Sequence, residues 1–314
     1  MTITQLQYVL AVAEHKNFTL AAEKCFVTQP TLSMQIQKIE EELGIQIFDR
    51  TKKPIQLTDV GEKIVNQAKS VVNEASRIQD IVDMQKGYVG GDFRLGIIPT
   101  IMPTLLPMFL KNFIKKHPKI NLIIEELTTE DIITKLKNGH LDAAIAATPL
   151  EEEKIKEIVL YHEPFVAYIP NDHKLASHKT VNVEELDLND ILLLQDGHCF
   201  RQGILNLCKR HENDIPKTFN IESGSSETLI KLADEGLGIT LLPYLHTLDL
   251  CEKSKHKIKQ FPDPKPAREV SLVFSKNELK MHIINALRQT IDGVIRGAIV
   301  FQNIEVISPR SAKK

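Results

Sequence analysis

The sequence predicts an α/β region folded as two lobes, preceded by a small helical region and a long connecting helix. Three observations predict it. Apolar residues recur at helical spacing to about residue 85, glycines at 87, 90 and 91 interrupt the pattern, and beyond them short apolar runs alternate with amphipathic segments. A length of 314 residues suits two domains. Hydrophobic residues at 42%, charged residues at 25% and a net charge of -2 exclude a disordered chain and give no global attraction to polyanions. Any nucleic-acid site is therefore local.

Leu6, Val9, Leu10 and Ala13 mark a first helix, and Ala21, Ala22 and Cys25 the buried face of a second over 19–25. A third helix, 29–43, takes Thr28 as its N-cap and Pro30 in its first turn. Gly44 ends it. Two short strands over 45–48 and 55–57 then flank a basic turn, and from Thr58 one long helix runs to about Gln85. Its apolar stripe (Ile64, Ala68, Val71, Val72, Ala75, Ile78, Val82) has nothing local to pack against, which points to self-association.

The second and third helices have the spacing of a helix-turn-helix, whose second helix lies in the major groove of double-stranded DNA. With Leu32, Ile36, Ile39 and Leu43 turned inward, the outer face presents Pro30, Met34, Gln37 and Lys38, with Gln29, Thr31 and Ser33 at its start. Glutamine pairs with adenine, serine bonds either strand's base edges, and methionine meets a thymine methyl. Arg50, Lys52 and Lys53 form a wing for phosphate or minor-groove contact. Spacing alone leaves open a helical hairpin with a solvated polar face. Charge does not decide it, since residues 1–61 hold six Lys/Arg against seven Asp/Glu.

Beyond the glycines, strands over 93–98, 121–126, 141–147 and 159–168 alternate with helices over 105–117 and 131–138, an α/β pattern with a largely parallel sheet. A second cycle places strands at 191–194, 219–221 and 238–242 and helices at 201–211 and 226–234. The strand over 269–274 and helix over 278–296 return to the first sheet. Two crossovers near Tyr168 and Phe261 leave a cleft between the lobes.

Residues 6–18, Ala21-Ala22, 28–33, 39–44, Leu57-Thr58 and Gly61, with the later stretch 233–243 (ADEGLGITLLP), together resemble the LysR-type transcriptional regulators over nearly the whole chain. The resemblance implies a winged helix-turn-helix, a dimerising linker helix and a two-lobed regulatory domain like a periplasmic binding protein. It also implies a homotetramer, a dimer of dimers, on promoter DNA, with RNA polymerase as a further partner. Base contacts carried over from the family fall on Gln29, Pro30 and Ser33; Met34 offers no polar contact. The resulting organisation is a DNA-binding domain over 1–60, a linker helix over 61–90, and a regulatory domain over 91–300. Within the last, lobe I covers about 91–166 and 268–300 and lobe II about 167–267, and residues 301–314 form a tail expected to be mobile.

The segment 195–201 (QDGHCFR) places Cys199 at a polar turn and at the start of a helix, beside His198 and Arg201. A helix N-terminus and two cationic neighbours stabilise a thiolate and raise its reactivity toward oxidants. Cys208 lies nine positions on, about 13 Å away if the stretch is helical, whereas a disulfide needs under about 7 Å. Bridging the two requires the helix to unwind. The bland alternative, Cys208 as a small core hydrophobe, stays open.

Within the LysR-type group, Gly197-His198-Cys199 with Arg201 and Cys208 resembles the hydrogen-peroxide-sensing activators. That implies peroxide as the signal, a Cys199–Cys208 disulfide as the switch, and a cellular thiol reductant to reset it. It adds Thr100 and Thr129 as holders of peroxide or water and Arg268 as a stabiliser of the thiolate and of the departing oxygen. A small anionic metabolite in the interlobe cleft is the competing signal, and a thiol peroxidase the competing enzyme, against which the helix-turn-helix argues. Cys25 reads as core and Cys251 as non-functional. No cofactor or metal site is expected, since the histidines and cysteines lack zinc-ligand spacing. No run reaches the roughly 18 apolar residues of a membrane span and the N-terminus has no basic stretch ahead of an apolar one, so a cytoplasmic protein is expected.

Overall fold

The computed structural model describes residues 1–85, 90–208, 223–299 and 303–310. The chain divides into two compact units, Met1–Tyr88 with Asn138–His140 and Val89–Lys137 with Leu141–Lys314.

In the first unit, helix α1 (Ile3–His15) opens with a capping box in which Thr2 accepts the Gln5 N–H and the Gln5 side chain accepts the Thr2 N–H. Helix α2 (Phe18–Lys24) is capped by Asn17, which accepts from the Thr19 and Leu20 amides. Helix α3 (Gln29–Leu43) has Thr28 as N-cap and Gly44, at φ 69, as its left-handed stop. Leu6, Val9, Ala21, Leu32, Ile36 and Ile39 close one core among the three.

The wing strands are shorter than expected: β1 (Phe48–Asp49) and β2 (Gln56–Leu57), paired antiparallel. The cause is Glu40, buried on α3, whose Oε1 accepts the Ile47 and Phe48 amides at 2.8 and 3.2 Å while Oε2 accepts Arg50 Nη2 at 2.9 Å. The ladder therefore starts only at Phe48↔Leu57. Helix α4 (Asp59–Gln85) begins against this turn, so closely that a Cβ on Gly61 would sit 2.1 Å from the Ile47 carbonyl oxygen. Val65 and Ala68 join the core, whereas Val71, Ile78, Ile81 and Val82 further along are exposed.

In the second unit the elements are β3 (Gly91–Ile97), α5 (Met102–Lys116), β4 (Ile120–Glu126), α6 (Thr129–Lys137), β5 (Ala143–Thr148) and β6 (Ile155–Tyr168). They continue with α7 (Cys199–Leu207), α8 (Ser226–Asp234), β7 (Thr240–Pro243), α9 (Glu252–Lys255), β8 (Ile258–Gln260), β9 (Lys265–Ser275), α10 (Met281–Ala298) and β10 (Ile304–Val306). The strand order is β4-β3-β5-β9-β6-β7, with β8 on β6 and β10 on β9.

The expected largely parallel sheet is instead mixed. Strands β3, β4 and β5 are parallel neighbours, but β9 is antiparallel to β5 and β6, and β6 to β7 and β8. Strand β6 carries the chain out of the first core and β9 brings it back, so the two must run in opposite directions. Ile155 and Tyr161 of β6 pack in the first core, with Phe93, Leu95 and Leu272. Phe165, Val166 and Tyr168 of the same strand pack in a second, with Phe200, Ile204 and Leu241.

Three further expectations change. The strand over 191–194 is a single bridge, Ile191↔Ile239, because Asp190 and Leu192 exchange backbone hydrogen bonds with Ile239 alone. Helix α7 starts two residues before 201 and ends at Leu207, where Cys208 turns extended at φ -94, ψ 126. Residues 304–306 form a strand, not a mobile tail, because the edge of β9 offers free backbone groups that β10 pairs in parallel. The strand expected over 219–221 lies outside the described residues.

Glu40→Ala strands two buried amides, so urea unfolding of the full-length protein should register a loss of about 2–3 kcal/mol in the N-terminal transition. Glu40→Gln, which keeps an acceptor, should lose less.

Candidate functional site

On α3 the helical register places Gln29, Pro30, Thr31, Met34, Gln37 and Lys38 on the exposed face, with Ser33 half-buried. Thr31 is turned back toward its cap, its hydroxyl 2.8 Å from that of Thr28, and Gln37 donates to Glu41 at 3.0 Å. Lys52 and Lys53 are exposed. Arg50 is tied to Glu40 and lies 5.2 Å over the Phe18 ring, so its first role is to fasten the wing to α3. Phe26, which sequence reasoning passed over, stands 95% exposed in the turn between α2 and α3 at φ 55. An aromatic in the four-residue turn of a helix-turn-helix was the available signal.

The thiol site is built where β6 and β9 pass between the two cores. Glu163 and Arg268 are cross-strand partners in that pair, both buried. Arg268 donates from Nε and Nη2 to Glu163 Oε2 at 2.9 and 2.7 Å. It also donates from Nη1 to the Thr100 hydroxyl at 2.8 Å and from Nη2 to the Thr100 carbonyl at 3.1 Å. The other Glu163 oxygen accepts the Leu245 amide at 2.8 Å. The guanidinium lies 5.2 Å over the Phe200 ring, which stacks on Phe165. Burial opposes the charge of Arg268, but Glu163 and its other neighbours hold its pKa above the ordinary arginine value. Glu163 was not among the expected site residues, although a carboxylate directly before the apolar end of β6, PFVAY, marks it.

Cys199 is the first residue of α7, half-buried and packed against the first core. Burial pushes its thiol pKa up, and the Arg268 charge, the Thr129 hydroxyl and the Phe200 and Cys199 backbone amides oppose that rise. Thr129 is free to face the thiol because Thr128 takes the capping of α6, accepting the Asp131 amide; the Thr129 hydroxyl is buried without another partner.

His198 and Arg201 do not act on the thiol as expected. Burial lowers the His198 pKa, against the pull of Glu126, so its ring is neutral near pH 7. Arg201 pairs with Asp196 at 2.7 Å and donates to the Leu194 carbonyl at 3.1 Å. The cation beside the thiol is Arg268, sixty-nine positions away in sequence.

Cys208 is buried in the second core, and burial pushes its thiol up to about 12. Both cysteines are free, at opposite ends of α7 and packed on different cores. A groove of about 650 Å³ opens beside Cys199, walled among others by Thr129, Glu130, Glu152, Asp196, His198 and Arg310. Cys25 is half-buried against the first unit's core with its thiol pushed up by burial. Cys251 is exposed, 3.3 Å from the Ser254 hydroxyl.

Residues 3–62 match the lysR-family bacterial regulatory helix-turn-helix, and residues 86–295 match the LysR substrate binding domain. The chain is a LysR-type regulator. This regulator is 34% identical over 276 residues to the DNA-binding transcriptional dual regulator OxyR of Escherichia coli K12, covering 87% of this chain and 89% of that one. It is 32% identical, again over 276 residues, to the hydrogen peroxide-inducible genes activator of Haemophilus influenzae, covering 87% and 90%. Among solved structures, full-length OxyR C199D of Pseudomonas aeruginosa superposes with a TM-score of 0.75 at 34% identity, covering 93% of this chain and 98% of that one. A hydrogen-peroxide-bound mutant of Corynebacterium glutamicum OxyR gives 0.62 at 28% identity, covering 97% and 98%. The regulator is thus an OxyR-like DNA-binding transcription regulator and not an enzyme. No described helix is long and apolar enough to cross a membrane.

Two outcomes follow for the thiols. Removing the Arg268 charge raises the Cys199 pKa further, so alkylation of Cys199, resolved by mass spectrometry, should slow about tenfold at neutral pH in Arg268→Met/Glu163→Gln, a pair that strands no buried carboxylate. Cys208 keeps its proton in the folded chain to about pH 12 against 9.0 when free. The stability this contributes is complete below pH 9 and lost as pH rises toward 12. Cys208→Ala should flatten that alkaline fall in a urea-unfolding series.

Proposed function

We propose that this regulator senses hydrogen peroxide, with Cys199 as the oxidised thiol and a Cys199–Cys208 disulfide as the signal that changes its promoter contacts. The observation that carries the reading is the placement of Arg268. It is fixed by Glu163 and Thr100 at a half-buried thiol whose other polar neighbour is an unpartnered threonine hydroxyl. The Cys199 thiolate attacks one peroxide oxygen, the O–O bond breaks, and hydroxide leaves to be protonated as water. The sulfur becomes a sulfenic acid. Arg268 favours the attacking thiolate and the charge on the leaving oxygen, and the Thr100 and Thr129 hydroxyls hold peroxide or water. The Cys208 thiolate then attacks the sulfenic sulfur, forming the S–S bond and releasing hydroxide.

The second step needs α7 to unwind. Its nine helical residues span about 13 Å, and Cys208 must leave a core where its own thiol is inert. Oxidation is thereby coupled to a fold change in lobe II, which supplies a two-state element for signalling. The groove beside Cys199 favours a small neutral oxidant over a metabolite anion. It is lined by Glu130, Glu151, Glu152 and Asp196 against Arg201 and Arg310, which face Asp196 and Glu152 respectively. Self-association through the exposed apolar residues of α4, assembly as a dimer of dimers, activation through RNA polymerase, reset by a thiol reductant and a cytoplasmic setting belong to the same reading.

Reduced protein titrated with micromolar peroxide should form a stoichiometric Cys199–Cys208 bridge within seconds, seen by mass spectrometry under non-reducing conditions. Cys199→Ser should abolish it and Cys208→Ser should stop at the sulfenic acid. Two thiols that stay free in the unmodified chain would remove the redox mechanism and leave the DNA-binding assignment standing.

A further inference from the structure

We infer that residues 304–310 are a latch on helix α7 and that Asn206 is a positioning residue for the thiol–disulfide switch: its amide ties the last turn of α7 to the latch, and these bonds must break before Cys208 can reach Cys199. This rests on the peroxide-switch reading above.

The latch is anchored at both ends of the thiol site. Its strand β10 pairs with β9 at Lys265, Pro266 and Ala267, the residues immediately before Arg268. Ile307 donates its amide to the Ala267 carbonyl at 2.8 Å and packs against the second core. Pro309 is buried, and with Arg310 it lines the groove at Cys199. Arg310 Nη2 lies 3.8 Å from Glu152, whose carboxylate is also paired with Lys137 at 2.6 Å.

Asn206 joins this segment to the helix. Its Nδ2 donates to the Ser308 carbonyl at 2.8 Å and to the Arg310 carbonyl at 2.7 Å, and its Oδ1 accepts from Gln202 at 2.9 Å. Both amide protons are therefore spent on carbonyls about a hundred positions away, two residues before the resolving cysteine. A helix that unwinds between Cys199 and Cys208 carries Asn206 away from both carbonyls at once. Bonds present in the dithiol form and absent from the bridged form favour the dithiol and slow the conversion. The sulfenic-acid step asks nothing of Asn206, since the groups at the Cys199 sulfur are Arg268, Thr129 and the local backbone.

The test uses full-length protein carrying Asn206→Leu, which keeps the side-chain volume and loses both donors. Sulfenic-acid formation is timed in a Cys208→Ser background by chemical trapping, bridge closure by quenched-flow mass spectrometry, and the thiol–disulfide midpoint against a glutathione series. Asn206→Leu should leave the first step unchanged and speed closure roughly three- to tenfold. Its midpoint should move to more negative potential, by about 30 mV for a tenfold change in the equilibrium. A chain ending at Gln302 should move closure and midpoint in the same direction. Unchanged closure and midpoint in Asn206→Leu, or slower closure, would overturn the latch while leaving the peroxide switch intact. Absence of any bridge in the unmodified chain would remove the switch itself, and the latch with it.

Discussion

The buried Glu163–Arg268 pair is the interaction on which the regulatory region depends. It sits in the register of β6 and β9, the two strands that pass between the cores, and reaches out to Thr100 after β3 and to Leu245. Burying two charges is expensive, and the geometry repays it only because the carboxylate and guanidinium hydrogen bond so fully. Removing one partner leaves the other charge uncompensated and costs about 3–5 kcal/mol. The same pair fixes at the thiol site a positive charge that the sequence neighbour Arg201, paired with Asp196, does not supply.

That arrangement restrains the Cys199 thiol by burial while a fixed cation opposes the restraint. Burial raises the Cys199 pKa, and Arg268 and Thr129 pull it back; in the proposed reaction they stand where charge develops. Cys208 lies deeper, and burial pushes its thiol up to about 12 with no opposing cation among the described residues. The two thiols are separated by a helix that each core grips at one end, so the proposed bridge requires that helix to rearrange.

The helical elements were legible in the sequence because their signals are local. Thr28 and Gly44 bracket α3 through cap chemistry, and the apolar stripe fixes which face Gln29, Met34, Gln37 and Lys38 share. Helix α8 over 226–234 follows from periodicity in the same way. The direction of β9 was not legible, since apolar alternation reads the same forward and backward. The strand expected at 191–194 reduced to one bridge because an apolar run reports burial, not pairing.

The site divides along the same line. Cys199, Cys208 and the polar turn before them stand out in sequence, whereas Thr100, Thr129 and Arg268 entered through family resemblance and Glu163 not at all, since their meeting is made by cross-strand register over more than a hundred residues. His198 and Arg201 looked like the cations of the site because they are sequence neighbours; burial and Asp196 remove them from that role. In the proposed switch, oxidation of this site changes how the regulator touches DNA. Footprinting on one promoter fragment with the reduced and the peroxide-treated protein tests it most directly. Two different protection patterns, with Cys199→Ser locked in the reduced one, are predicted, and identical patterns would contradict it.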